Sequence, residues 1–162
     1  MRDYYYDVAQ VCINGHLITD MAQSHQQDRQ DFCANCGKPT IMACPSCSEP
    51  IKGYCHIQGV ISAGNDLDLP SYCSKCGKPY PWTEARLTAA ADLVREADFL
   101  DAPEKEQLIE TFGDIVTDSP RTQLAATRAN RLMKKAGATI AGVLRDMFVD
   151  IASEAAKKIL LP

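Results

Sequence analysis

Phe32-Cys33-Ala34-Asn35-Cys36-Gly37-Lys38-Pro39 returns downstream as Tyr72-Cys73-Ser74-Lys75-Cys76-Gly77-Lys78-Pro79. A Cys-x-x-Cys spacing lets two thiolates reach one ion from a single tight turn. The Gly after the second Cys permits the left-handed backbone that closes the turn. A third pair, Cys44-Pro45-Ser46-Cys47, lies between the two copies. Such knuckles are half-sites. A closed tetrahedron of the zinc-ribbon type needs two of them, so three pairs leave one half-site to be found.

Upstream, Cys12-Ile13-Asn14-Gly15-His16 offers a thiolate and an imidazole across a turn whose Asn-Gly pair tolerates positive φ. The chain then parses as two tandem ribbons. Site one comprises Cys12, His16, Cys33 and Cys36. Site two comprises Cys44, Cys47, Cys73 and Cys76. Joining Cys33, Cys36, Cys44 and Cys47 leaves a short gap for two strands and a reversal. An interleaved, cross-brace grouping stays open on spacing alone, as does His56 in place of His16. Cys55, next to His56, reads as a small residue packed within the ribbon, because adjacent strand residues point to opposite faces and make a poor Cys/His couple.

The run from Val11 to His16, through Phe32-Cys33, Cys44-Pro45-Ser46-Cys47 and Pro70-Ser71-Tyr72-Cys73 to Pro79-Tyr80-Pro81-Trp82-Thr83-Glu84-Ala85, resembles an uncharacterised bacterial family of small double zinc-ribbon proteins. The resemblance continues through Pro120-Arg121-Thr122-Gln123-Leu124-Ala125-Ala126-Thr127-Arg128 and Asp146-Met147-Phe148-Val149-Asp150-Ile151-Ala152. It implies zinc sites and a bacterial origin, and no activity.

Composition bounds the rest. The chain has 162 residues, 46% hydrophobic, enough for a core. Eight Cys without an apolar N-terminal leader read as metal ligands in a reducing cytoplasm rather than as disulfides. No apolar run is long enough for an integral membrane segment. Net charge is -4, unevenly spread. Acids dominate 92–118 and bases dominate 119–162, which argues against a protein that coats nucleic acid along its length.

Along the chain, Tyr4–Ile13 reads as a strand, its three Tyr either packing at an edge or stacking on bases. Residues 17–31 read as a polar loop or short helical turn with His25 exposed. Thr40–Ala43 and Pro50–Ile61, bent at Gly53, read as strands. Residues 63–70 read as a returning loop. A helix starts at Thr83, its apolar face carried by Leu87, Ala90, Ala91, Val94 and Ala97. Asp101-Ala102-Pro103-Glu104 reads as a capping box opening a helix that breaks near Gly113. Ser119-Pro120 caps the next helix, with Arg121, Arg128, Arg131 and Lys135 on one side. Gly137 divides or weakens it. From Thr139 to Leu161 a wide stripe (Ile140, Val143, Leu144, Met147, Phe148, Ile151, Ala152, Ala155, Ile159) predicts one long helix, and a small ribbon cannot cover it. Its partner is other helices of the chain or a second copy. Asp146, Asp150 and Glu154 have the wrong sign for lying on an anionic membrane.

The expectation is therefore an α+β protein. Residues 1–82 form a double zinc ribbon. Residues 83–162 form a helical region for oligomerisation or docking. Two zinc ions per chain are expected, and no catalysis: closed thiolate tetrahedra leave no open position, and there is no phosphate loop and no Gly-x-Ser-x-Gly elbow. The function expected is recognition or assembly with a protein partner or with itself. The alternative is a nucleic-acid binder using Lys38, Lys52, Lys75, Lys78 and the basic helix 120–136.

Overall fold

A computed structural model of the chain describes residues 4–59, 67–96, 98, 100–149 and 151–161. Val60, Ile61, the loop residues 63–66, Ala97 and Asp150 lie outside the described residues. The architecture is α+β: small antiparallel sheets, then helices. The chain divides into two compact units, Met1–Thr83 and Glu84–Pro162.

In the first unit, β1 (Tyr4–Val8) pairs antiparallel with β5 (Lys52–Ile57). A second sheet runs β3 (Leu17–Thr19), β2 (Gln10–Cys12), β4 (Thr40–Ile41). The expected single strand over Tyr4–Ile13 is thus two strands in different sheets. They part at Ala9, which is fully buried and donates its N–H to the Ile51 carbonyl at 2.8 Å. Gly53 sits within β5 because no side chain fits there: a Cβ would lie 2.0 Å from the Asp20 carbonyl oxygen. The apolar cluster is small. Ala9, Val11, Ile51, Tyr80 and Trp82 share it with Cys44 and Cys73. Tyr80 and Trp82 stack at 4.5 Å, and the Trp82 indole donates to the Pro70 carbonyl at 3.0 Å. The three Tyr of β1 are exposed, and Tyr5 stacks on its cross-strand partner His56.

A buried carboxylate pins the loop after β3. Asp7 accepts the N–H groups of Val8 and Gln23 at 2.7 and 2.8 Å and the Ser24 hydroxyl at 2.5 Å. His56 Nε2 lies 3.3 Å away. Burial would raise this acid, but the Ser24, Gln23, Val8 and His56 contacts win and lower it from 3.8 to about 2. A carboxylate lowered on folding stabilises fully above its ordinary pKa, and that stability fades as pH falls through about 2. Asp7→Asn should therefore cost about 2 kcal/mol at neutral pH, read as a shifted urea midpoint of the metal-loaded chain. An unchanged midpoint would remove the anchoring role.

The second unit holds α1 (Pro81–Glu96) from Glu84 onward, α2 (Ala102–Val116), α3 (Thr122–Met133), α4 (Gly137–Val149) and α5 (Glu154–Leu160). Asp101 caps α2 by accepting the Glu104 N–H at 2.9 Å, with Pro in the first turn. The expected break near Gly113 does not occur. Gly costs a helix interior about 1 kcal/mol, and burying Ile115 and Val116 just beyond it outweighs that. The single long C-terminal helix is also corrected. It stops after Val149, and Ser153 starts α5 by accepting the Ala156 N–H, while its own N–H donates to the Ile115 carbonyl at 3.0 Å. The turn folds the stripe back. Leu144, Phe148, Ile151, Ala156 and Leu160 are buried, and α3 packs between α2 and α5. Among the described residues no helix is long and apolar enough to cross a membrane.

Candidate metal centres

The same turn is built three times. Cys33, Cys44 and Cys73 each accept at their carbonyl the N–H of the residue four further on, Gly37, Ser48 and Gly77. Each also donates its own N–H to the carbonyl five further on, that of Lys38, Glu49 and Lys78. Bridges Phe32–Pro39, Ala43–Pro50 and Tyr72–Pro79 close the three turns. Gly37 and Gly77 take φ of 66° and 71°, and Ser48 takes 60°. Ser48-Glu49-Pro50 therefore occupies the place of Gly-Lys-Pro, at the cost of a strained non-glycine residue. The sequence shows Cys44 and Cys47 as a third pair, and the aligned Pro50 is the signal that its turn continues as in the other two. The fourth half-site turns differently: the Gly15 N–H donates to the Cys12 carbonyl, and Gly15 lies against Trp82.

The folds of these turns bring eight donors into two groups, Cys12, His16, Cys33 and Cys36, and Cys44, Cys47, Cys73 and Cys76. Within each group the ligand atoms lie within 4.8 Å of one another. The grouping is the tandem one. His56 is not part of it and instead faces Asp7. Cys55 sits beside Tyr6 in the β1–β5 pair.

The distances test the fit to an ion. A tetrahedral zinc with sulfur at about 2.3 Å sets its sulfurs about 3.8 Å apart, and a sulfur and a nitrogen about 3.5 Å apart. Sγ pairs lie at 3.8 Å (Cys12–Cys36), 3.8 Å (Cys44–Cys76) and 3.6 Å (Cys47–Cys73). His16 Nδ1 lies 3.4 Å from Cys12 Sγ and 3.5 Å from Cys33 Sγ, so Nδ1 is the ring atom it turns toward the cluster. The donor sets, three thiolates with one imidazole and four thiolates, suit zinc.

Electrostatics points the same way. Backbone N–H groups aim at sulfur: those of His16 and Asn14 at Cys12, of Asn35 and Cys36 at Cys33, of Cys76 and Lys75 at Cys73. The last two bring Cys73 down to about 6. At Cys33 burial opposes the amides, which still win and hold it at about 7. The Glu49 amide works to lower Cys47, but burial and the sulfurs of Cys76, Cys73 and Cys44 outweigh it and push Cys47 up to about 12. Four sulfurs this close cannot all ionise without a cation between them. Around site two, the Tyr80 hydroxyl bonds Cys73, and Lys75 Nζ meets Glu49 Oε2 at 2.9 Å across the two knuckles.

Fold and sites together define a two-centre, zinc-ribbon-like metal-binding unit joined to an α-helical unit. The chain belongs to the family described as "Uncharacterized protein conserved in bacteria" (DUF2321), which it matches over residues 5–160. No curated protein and no solved structure matches it.

Proposed function

We propose that the chain is a zinc-binding, non-catalytic interaction or assembly protein of the bacterial cytoplasm. Its ribbons form a rigid recognition module, and its helices serve self-association or docking to a protein partner. The observation that carries this is the closure of both centres, with four protein donor atoms within 4.8 Å of one another in each. A metal with four protein ligands has no position for a substrate or an activated water. Eight free thiols, seven of them grouped for metal rather than paired, suit a reducing compartment.

The exposed rings of Tyr4, Tyr5, Tyr6 and Phe32 offer the ribbons' contact surface. The basic side of α3 is partly spent within its own unit, where Arg121 pairs with Asp114 at 3.2 Å and Lys135 pairs with Glu104. That supports protein recognition over phosphate binding. Metal analysis with light scattering on the purified chain tests the proposal. Two zinc ions per chain are expected, one for each cluster. More than one copy per particle marks self-association, and a single copy leaves docking to a different protein. A folded, metal-free chain with its thiols joined in disulfides would sink it.

A further inference from the structure

We propose that the two centres have different tasks: site two holds the first unit folded, while site one exchanges its zinc with the unit intact. The inference rests on reading both clusters as zinc sites and concerns how the ion at each is held.

Site two is part of the interior. Two cysteines of each site are buried, Cys12 and Cys33 as well as Cys44 and Cys73, but it is Cys44 and Cys73 that belong to the apolar cluster with Val11, Ile51, Tyr80 and Trp82, and Cys47 packs against it. Besides the sulfur contacts and the shared apolar cluster, an exposed Lys75–Glu49 pair links the two knuckles, worth little by itself. An ion held by all four sulfurs would be the strongest tie between 44–47 and 73–76. Without it, the sulfurs of Cys44, Cys47 and Cys73 would sit in or against the core with nothing to balance them.

Site one is bracketed by bonds that need no metal. Cys12 lies on β2, which pairs with both β3 and β4. The Gln10 side chain donates to the Gln30 carbonyl at 2.8 Å and accepts the Gln30 N–H at 3.0 Å. On the other side of the second knuckle, the Ile13 N–H donates to the Pro39 carbonyl, and the Thr40 N–H to the Asp31 carbonyl, both at 3.1 Å. Both ends of the Cys33–Cys36 turn are therefore fixed to the strand that carries Cys12. Asp7 holds the loop that follows His16.

Each site has one exposed donor, His16 in site one and Cys76 in site two; what sets His16 apart is that it is the one imidazole among the donors. It is a neutral donor, so site one gives the ion one negative charge fewer than site two. With an ion bound, His16 Nδ1 would be the donor that gives way to an incoming thiolate or imidazole, an exchange of ligands in which no electron is transferred. The scaffold stays in place to receive an ion again.

The test is a chelator titration of the zinc-loaded full chain, in reducing buffer at constant pH. Released zinc is read colorimetrically, and ¹H–¹⁵N spectra are recorded in parallel. Half of the zinc should leave first. The amides of Asn14, His16, Ala34 and Asn35 should shift while those of Ile51 and Tyr80 stay in place. The second half should leave together with loss of the Ile51 and Tyr80 signals. His16→Ala should purify with half the zinc and unchanged Ile51 and Tyr80 signals. Release of all zinc in one step with unfolding, early loss at site two, or a His16→Ala chain with an unfolded first unit would each overturn the inference and leave the zinc reading standing. A folded wild-type chain that never held zinc would overturn both.

Discussion

Complete removal of metal by excess chelator, with thiols kept reduced, is expected to unfold residues 4–83 and to leave the helices of the second unit standing. Magnitudes decide this. A structural zinc site can contribute on the order of 10 kcal/mol or more of apparent binding energy to folding. Burying a large aliphatic or aromatic side chain contributes only about 1.5–3 kcal/mol. Besides its cysteines, the apolar cluster of the first unit contains Ala9, Val11, Ile51, Tyr80 and Trp82. That is too few to order so many loop residues, each costing about 1–2 kcal/mol of backbone entropy. The second unit has its own interior, with Leu108, Phe112, Ile115, Leu132, Leu144 and Phe148 buried. Trp82, the chain's single Trp, reports selectively on the first unit. Its emission should shift to the red on chelation while the helical circular dichroism largely persists. Unchanged Trp82 emission in a reduced, metal-free chain would show that packing alone suffices.

The metal ligands were legible because their constraint is local. A Cys-x-x-Cys-Gly turn must present two sulfurs wherever it occurs, so Cys33, Cys36, Cys73 and Cys76 announce half-sites without knowledge of the fold. Which half-sites join is a long-range question, and spacing left the interleaved grouping open. It is decided by β2, which sets Cys12 and β4 side by side. Asp7 was invisible for the same reason: its partners Ser24 and His56 are remote in sequence and meet only in the folded unit. At the other end, apolar periodicity ran through Ile151 and Ala152 and hid a turn at 151–153, although Ser153-Glu154 carries an ordinary helix-start signal. Periodicity counts which residues are apolar, not whether the axis carries on. Gly113 shows the opposite error, a local preference overridden by burial of the residues around it.

That turn changes what the C-terminal stripe is for, and Phe148→Ala is the substitution that tests it. On one long helix Phe148 would be free to meet a second copy. Here it is 2% exposed and meets Phe112 of α2 edge to face, with ring centres 4.8 Å apart. Truncation removes the ring and leaves a cavity among residues already fixed by α2, α3 and α5. A loss of about 3–5 kcal/mol is expected, read as a lower urea midpoint of the helical signal in the zinc-loaded chain. Val143, on the same helix but 43% exposed, supplies the contrast: Val143→Ala should stay within about 0.5 kcal/mol. If Phe148→Ala instead left the midpoint unchanged and reduced the particle to one copy, the ring would belong to an interface between chains. The turn at 151–153 would then not close the stripe onto its own unit. A large loss of stability with no change in copy number assigns the stripe to the interior. Any self-association must then use the surface that remains: the exposed Leu124 of α3, Val143 and Val149 of α4, or the aromatic strand β1.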